Sequence, residues 1–261
     1  MRKSLKAAAL IAWSVLLAAP AGARSFQEVR NHGTLRVGMA LLAPGAMRDG
    51  AGALTGFEVD VANKLAADMR VRAQIVVYEL DELIPALESG EIDMIAGLAI
   101  TPERALHANF SQPYASNGIA LATNTTRTAS VQRFEELDAE TYKIAAVENS
   151  VAAELARRRL PSAQLVLFES AEAASAALLE GSVDGYLEEE PVPTFLALEH
   201  EATIDLPLAR PLLPAHAGLA VGKGDVDFLA FLDAWIVARE ADTWLPTMHR
   251  YWFKSLEWRE R

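Results

Sequence analysis

The chain has 261 residues, with 24 Lys and Arg against 35 Asp and Glu, for a formal net charge of −11. An acidic balance of this size disfavours a phosphate-backbone partner, so no nucleic acid is expected. The complete absence of cysteine excludes a disulfide framework, a thiol nucleophile and a lipid-bearing cysteine.

In chain order, Arg2, Lys3 and Lys6 precede an apolar run at residues 7–19. A spanning helix needs about 20 apolar residues, so this shorter run reads as a leader. Ala21-Gly22-Ala23 supplies small residues at its end, and cleavage is expected after Ala23, delivering the rest to the periplasm. Losing Arg2, Lys3 and Lys6 with the leader takes the net charge from −11 to −14.

Residues 35–41 (LRVGMAL) read as a buried strand. Phe57, Val61, Leu65 and Met69 then recur at helical spacing across 56–69. Residues 74–80 are β-rich. Asp81 is the expected N-cap of the helix that follows, and Gly90 its stop. A short apolar strand at 93–99 leads into Thr-Pro-Glu-Arg, with Thr101 as N-cap and Pro102 at the first helical position. A second unit repeats the alternation: strands at 143–147, 164–168 and 183–187, helices at 150–159 and 170–180. Apolar strands at 117–123 and from His216 flank that unit. A long helix at 226–241 and an aromatic tail, MHRYWFKSLEW, close the chain.

The expected fold is α/β, with two lobes, each a mostly parallel sheet flanked by helices. One lobe comprises residues 24–117 and 216–261, the other 118–215. Two crossing strands would form a hinge with a cleft between the lobes.

Three stretches carry candidate chemistry. Arg104 stands in the first helical turn after a strand, at the sheet edge where open α/β folds bind ligands. A cation is poorly placed at a helix N-terminus, but it fits if an anion sits there. An ordinary surface arginine is the alternative. Glu188, Glu189 and Glu190 follow the strand of GSVDGYLEEEP (181–191). One of them could hold an ammonium group, or all three could be solvated. Asn149-Ser150 opens the helix of VENSVAAELA (147–156) and offers N–H groups and a hydroxyl to an anion, or simply a cap. The glycines match neither dinucleotide nor P-loop spacing, and no Gly-x-Ser-x-Gly is present. His32, His107, His200, His216 and His249 are scattered without metal-ligand spacing.

Taken in order, GTLRVGM (33–39), LTGFEVDVANKLA (54–66), LIPALESGEIDMIAG (83–97), ITPER (100–104), FSQPY (110–114), GSVDGYLEEEP, GLAVGKGD (218–225) and YWF (251–253) resemble the family 3 extracellular solute-binding proteins. These are the periplasmic amino-acid-binding proteins of ABC importers. The resemblance covers about residues 30–255. It implies the two-lobed periplasmic binding protein fold of type II and a monomer without cofactor, metal or catalytic site. The implied partners are a small ligand with a carboxylate and an inner-membrane ABC permease.

The resemblance also implies roles. Arg104 would hold the ligand α-carboxylate, and Asn149, Ser150 and Val151 would complete that site. Glu189, counted from Asp184, would take the α-ammonium. Gly97 and Ala99 would lend backbone groups. Several positions depart from the family pattern. The loop after the first strand, LLAPGAMRDGAGALTG, lacks the usual aromatic, and Tyr78 could substitute for it or lie in the core. Ala99 stands where a hydroxyl is frequent, Asn-Ser replaces Gly-Thr or Gly-Ser, and glutamate replaces aspartate. The expected ligand therefore keeps a carboxylate but need not be a standard α-amino acid. Two alternatives remain: an exported dehydratase of the same fold acting on prephenate-like acids, and a module that reports its ligand to a membrane receptor.

Overall fold

The structure is a computed structural model describing residues 22–131 and 133–260. The expected leader, 1–23, lies outside the described residues apart from Gly22 and Ala23. Helix α1 (Phe26–His32) opens with a Ser25–Glu28 capping box and stops at Gly33. Strand β1 (Thr34–Met39) follows, then the short pair β2 (Met47–Arg48) and β3 (Leu54–Thr55). Next come α2 (Phe57–Met69), β4 (Arg72–Val77), α3 (Leu83–Ser89), β5 (Met94–Ala99), α4 (Pro102–His107) and β6 (Ala108–Phe110). The chain then crosses on β7 (Ala115–Asn124) into α5 (Thr125–Thr128), β8 (Lys143–Val147), α6 (Val151–Arg159), β9 (Gln164–Phe168) and α7 (Ala171–Leu179). Strand β10 (Gly185–Glu189), α8 (Val192–Glu199) and β11 (Ile204–Asp205) precede the return strand β12 (Leu213–Gly222). Helices α9 (Val226–Ala241) and α10 (Trp244–Phe253) complete the set.

The strands run in the order β4-β1-β5-β12-β7-β10-β8-β9. β4, β1 and β5 are mutually parallel, as are β10, β8 and β9. β12 and β7 run antiparallel to each other between these halves. Buried clusters respect the division. On the β4-β1-β5 side they draw on residues 23–115 and 217–258, and on the β10-β8-β9 side on 119–212. Each half thus buries its own apolar surface, and two strands join the halves.

The halves repeat one local solution. Gly90 and Gly181 lie in the left-handed region at φ 78° and 74°. Three residues later Asp93 and Asp184, both buried, accept hydrogen bonds from backbone N–H groups of the neighbouring strands β1 and β8. Arg36 N donates to Asp93 at 2.8 Å and Lys143 N to Asp184 at 2.7 Å. Arg24 and Arg36 pair with Asp93, and Arg127 with Asp184. Burial opposes ionisation of Asp93, yet the bonds from Arg24 and Arg36 outweigh it and hold its carboxyl below the usual range.

Three expectations are corrected. Asp81 is not the cap of α3: Glu82 flanks that helix in helical geometry and gives no side-chain cap. The carboxylate of Glu82 instead accepts from Glu79 N at 3.2 Å, closing a turn that delays the helix to Leu83. The strand expected at 183–187 is β10, shifted by two residues because Asp184 serves the adjacent strand. The return strand begins at Leu213, three residues before His216.

Candidate functional site

Register shows where the two halves face each other. Ala99, near the carboxyl end of β5, pairs with Ala217, which pairs with Ala115 of β7. Glu189, the last residue of β10, pairs with Ile119 of β7, which pairs with Leu213. The carboxyl ends of β5 and β10 therefore point at the same stretch of β7, residues 115–119. They stand three strand spacings apart, or about 14 Å across the sheet. Ligands of open α/β sheets bind at such ends.

On the first side, Thr101 Oγ1 caps α4 by accepting from Arg104 N at 3.2 Å. The Arg104 guanidinium reaches back and donates Nη1–H to the Ala99 carbonyl at 3.0 Å. It forms no ion pair among the described residues, so a half-buried cation stands at the strand end without a carboxylate. Gly97 has φ 77°, and its N–H donates to the Tyr114 hydroxyl at 2.8 Å.

On the second side, Asn149 takes the left-handed φ of 58° and turns the chain from β8 into α6. The Ser150 hydroxyl accepts from Ala153 N at 3.0 Å and donates to the Val147 carbonyl at 2.7 Å, so its proton is already used. Val151 is exposed at the start of α6. The three glutamates separate cleanly. Glu188 accepts from Tyr186 Oη and from Glu189 N, and Glu190 accepts from Thr194 and pairs with Lys254. Glu189 is exposed, and its carboxylate has no partner among the described residues.

Tyr78 stands apart from this set. Its ring packs on the cluster containing Leu83 and Leu87, and its hydroxyl donates to Glu91 at 3.0 Å. Exposed aliphatic side chains lie shortly after other strands or on the helices that follow strands. Leu41 and Leu42 follow β1, Leu80 follows β4, Leu106 lies on α4 and Val151 on α6, all between 42% and 75% exposed. A separate groove of about 520 Å³ is lined by Tyr114, Ser116, His249 and Lys254 among others, but by neither Arg104 nor Glu189.

One group escaped the sequence reading. Glu58 is buried, and Tyr114 Oη donates to its carboxylate. Burial pushes the Glu58 carboxyl up to about 7, with the Tyr114 bond opposing. Burial also raises the Tyr114 phenol, and the Glu58 charge adds to it. A signal was present: Glu58, Val61 and Leu65 fall on one stripe of α2, so the acid lies within the apolar face.

Comparison with known proteins places these features in context. A family model described as bacterial extracellular solute-binding proteins, family 3, matches residues 35–255. The virulence sensor protein BvgS of Bordetella bronchiseptica is 29% identical over 214 residues, 81% of this chain. The chain spans only 17% of that sensor's length. The ABC transporter glutamine-binding protein GlnH of Bacillus subtilis is 26% identical, covering 81% of this chain and 77% of GlnH. Among solved structures, an ancestral cationic amino acid solute binding protein is 29% identical with a TM-score of 0.75, covering 87% of this chain and 99% of that one.

Proposed function

We propose, from the premise that this chain belongs to the bacterial extracellular solute-binding proteins, family 3, that it captures a small carboxylate-bearing solute between its lobes. The lobes are taken as residues 24–117 with 216–261, and 118–215. Arg104 holds the ligand carboxylate through the N–H groups not spent on Ala99, assisted by the turn at Asn149, Ser150 and Val151. Glu189 takes a ligand ammonium from the opposite side. Gly97 and Ala99 form the floor. Tyr78 serves packing in this reading.

One observation carries the proposal. Arg104, in the helix that follows β5, and Glu189, the last residue of β10, are a cation and a carboxylate without an ion-pair partner among the described residues, and the carboxyl ends of those two strands converge on one stretch of β7. Unpaired opposite charges at facing edges suit a zwitterion that contacts both lobes, and contact with both is what drives closure. The exposed Leu41, Leu42, Leu80 and Val151 support an aliphatic remainder of the ligand. After export to the periplasm the closed monomer would hand its solute to an ABC permease. The relation to BvgS supports a second reading, in which an equivalent closed form signals to a membrane receptor.

The test is a thermal-shift panel on residues 24–261 after unfolding and refolding to strip carried solute. L-leucine, L-lysine, L-glutamine and the matching amines without a carboxylate are compared. A ligand at 100 times its Kd adds about 2.7 kcal/mol of stability. The proposal expects a shift from at least one amino acid and none from its amine. Equal shifts from amine and amino acid would overturn it.

A further inference from the structure

We propose that Glu58 is a positioning residue of the cleft: acting through the Tyr114 hydroxyl, it fixes the Gly97 amide and so the bend that sets Ala99 and Arg104. The inference rests on the reading of the β5 end as part of the ligand site.

The chain of contacts is continuous. Glu58 accepts from Tyr114 Oη, Tyr114 Oη accepts from Gly97 N at 2.8 Å, and Ala99 O accepts from Arg104 Nη1 at 3.0 Å. Three distant segments thus meet at one point: α2, the segment before β7, and β5. Gly97 needs help to stay where it is. Its φ of 77° is left-handed within the last turn of a strand, a geometry that ordinary residues avoid. A Cβ built there would stand 3.0 Å from Glu58 Cγ and 3.2 Å from Cδ, so the carboxyl arm packs against the bare Cα. Tyr114 holds the amide from one side while Glu58 fills the other.

Burial of both partners makes the arrangement stiff. Glu58 is 7% exposed and Tyr114 4%. The ring of Tyr114 also stacks on Phe57 at 6.0 Å between centroids. The hydroxyl donates once and accepts once, which uses its proton and leaves little freedom to turn. When Glu58 ionises, the Tyr114 bond becomes charge-assisted and shorter-lived orientations are suppressed. Other groups close to Glu58 add little charge. Gly45 and Gly97 pack from the loop after β1 and from β5. On α10, His249 stands edge-on to Phe57, and burial holds it below its ordinary value.

The experiment follows the Gly97 amide by NMR in residues 24–261, with affinity for L-leucine measured at pH 6 and pH 8. In the wild type the Gly97 resonance should titrate with a midpoint near 7, and affinity should rise with ionisation. E58Q keeps an acceptor for Tyr114 and should abolish the titration while binding within about threefold of the wild type. Y114F and E58L should displace the Gly97 resonance and weaken binding by about tenfold. A Gly97 resonance that ignores pH in the wild type, or that is unmoved in Y114F, overturns the inference. If L-leucine fails to bind the wild type, L-lysine or L-glutamine takes its place; if none of the three binds, the ligand reading is at fault, and the Gly97 titration alone decides the role of Glu58.

Discussion

The Lys254 ammonium, just past α10, lies 2.7 Å from the Glu190 carboxylate, in the residue next to Glu189. The pair joins the C-terminal segment of one half to the turn that carries the candidate ammonium site of the other. Thr194 reinforces it, donating to Glu190 at 2.7 Å and accepting from Lys254 at 3.0 Å. Farther along, Trp258 packs on Phe195 and Arg259 lies over the same ring.

Removing Lys254 should therefore be felt. The Glu190 side chain is only 6% exposed, so K254M leaves a largely buried carboxylate with one hydroxyl partner. Loss of about 1–2 kcal/mol is expected, between the values for exposed and buried pairs. A double-mutant cycle with E190Q in urea denaturation should recover most of that loss as coupling energy. Additive losses would mean that the two side chains do not interact.

Asp93 should matter more. It is fully buried and paired to Arg24 and Arg36, and D93N removes the charge both guanidinium groups address. A loss of about 3–5 kcal/mol is expected. Because the folded carboxyl lies below its unfolded value, its contribution is present above about pH 4 and disappears as the pH falls. Urea midpoints of wild type and D93N should converge in acid. A constant gap between them at every pH would contradict the assignment.

Glu58 has the opposite sign. Its folded carboxyl is raised to about 7 from 4.5, so the folded state binds more protons than the unfolded one between those values. Stability from this group falls as pH rises from 4.5 to 7 and is lowest above 7. The full span is about 3 kcal/mol, set by the rise from 4.5 to about 7. E58Q should be less sensitive to pH over this window and more stable than the wild type at pH 8. An identical slope in both proteins would show that Glu58 does not titrate there.

Much of this arrangement is legible in the sequence because it is local. Thr101-Pro102 announces α4, and Gly90 announces the end of α3; helix 226–241 follows from its apolar run and strand 164–168 from its β-rich one. The two-lobe order follows from a second βα set between matching apolar strands. What the sequence hides depends on partners far along the chain. Three consecutive glutamates look alike until Tyr186 takes Glu188 and Lys254, 64 residues away, takes Glu190. Glu58 looks like a solvated acid in a first helical turn until Tyr114 folds onto it. Asp81 has the right chemistry for a cap but loses to the turn that Glu79 and Glu82 form.

Glu189 provides a test of ligand type. E189Q keeps the shape and removes the charge, so binding of a ligand with an ammonium group should weaken by about tenfold or more. A ligand without one should bind as before or more tightly. Undiminished affinity for an amino acid, measured by calorimetry, would move the ammonium to another acid.

The central claim is that Arg104 holds the carboxylate. The most direct measurement is calorimetric affinity of the wild type and R104A for the tightest amino acid of the panel. Loss of a charge-assisted pair in a closed cleft costs about 2–5 kcal/mol, so affinity should fall by about 30-fold or more. Melting of R104A without ligand should stay close to that of the wild type, since Arg104 makes no ion pair among the described residues and its guanidinium donates only to the Ala99 carbonyl there. Affinity unchanged in a folded R104A would contradict the account and place the carboxylate elsewhere.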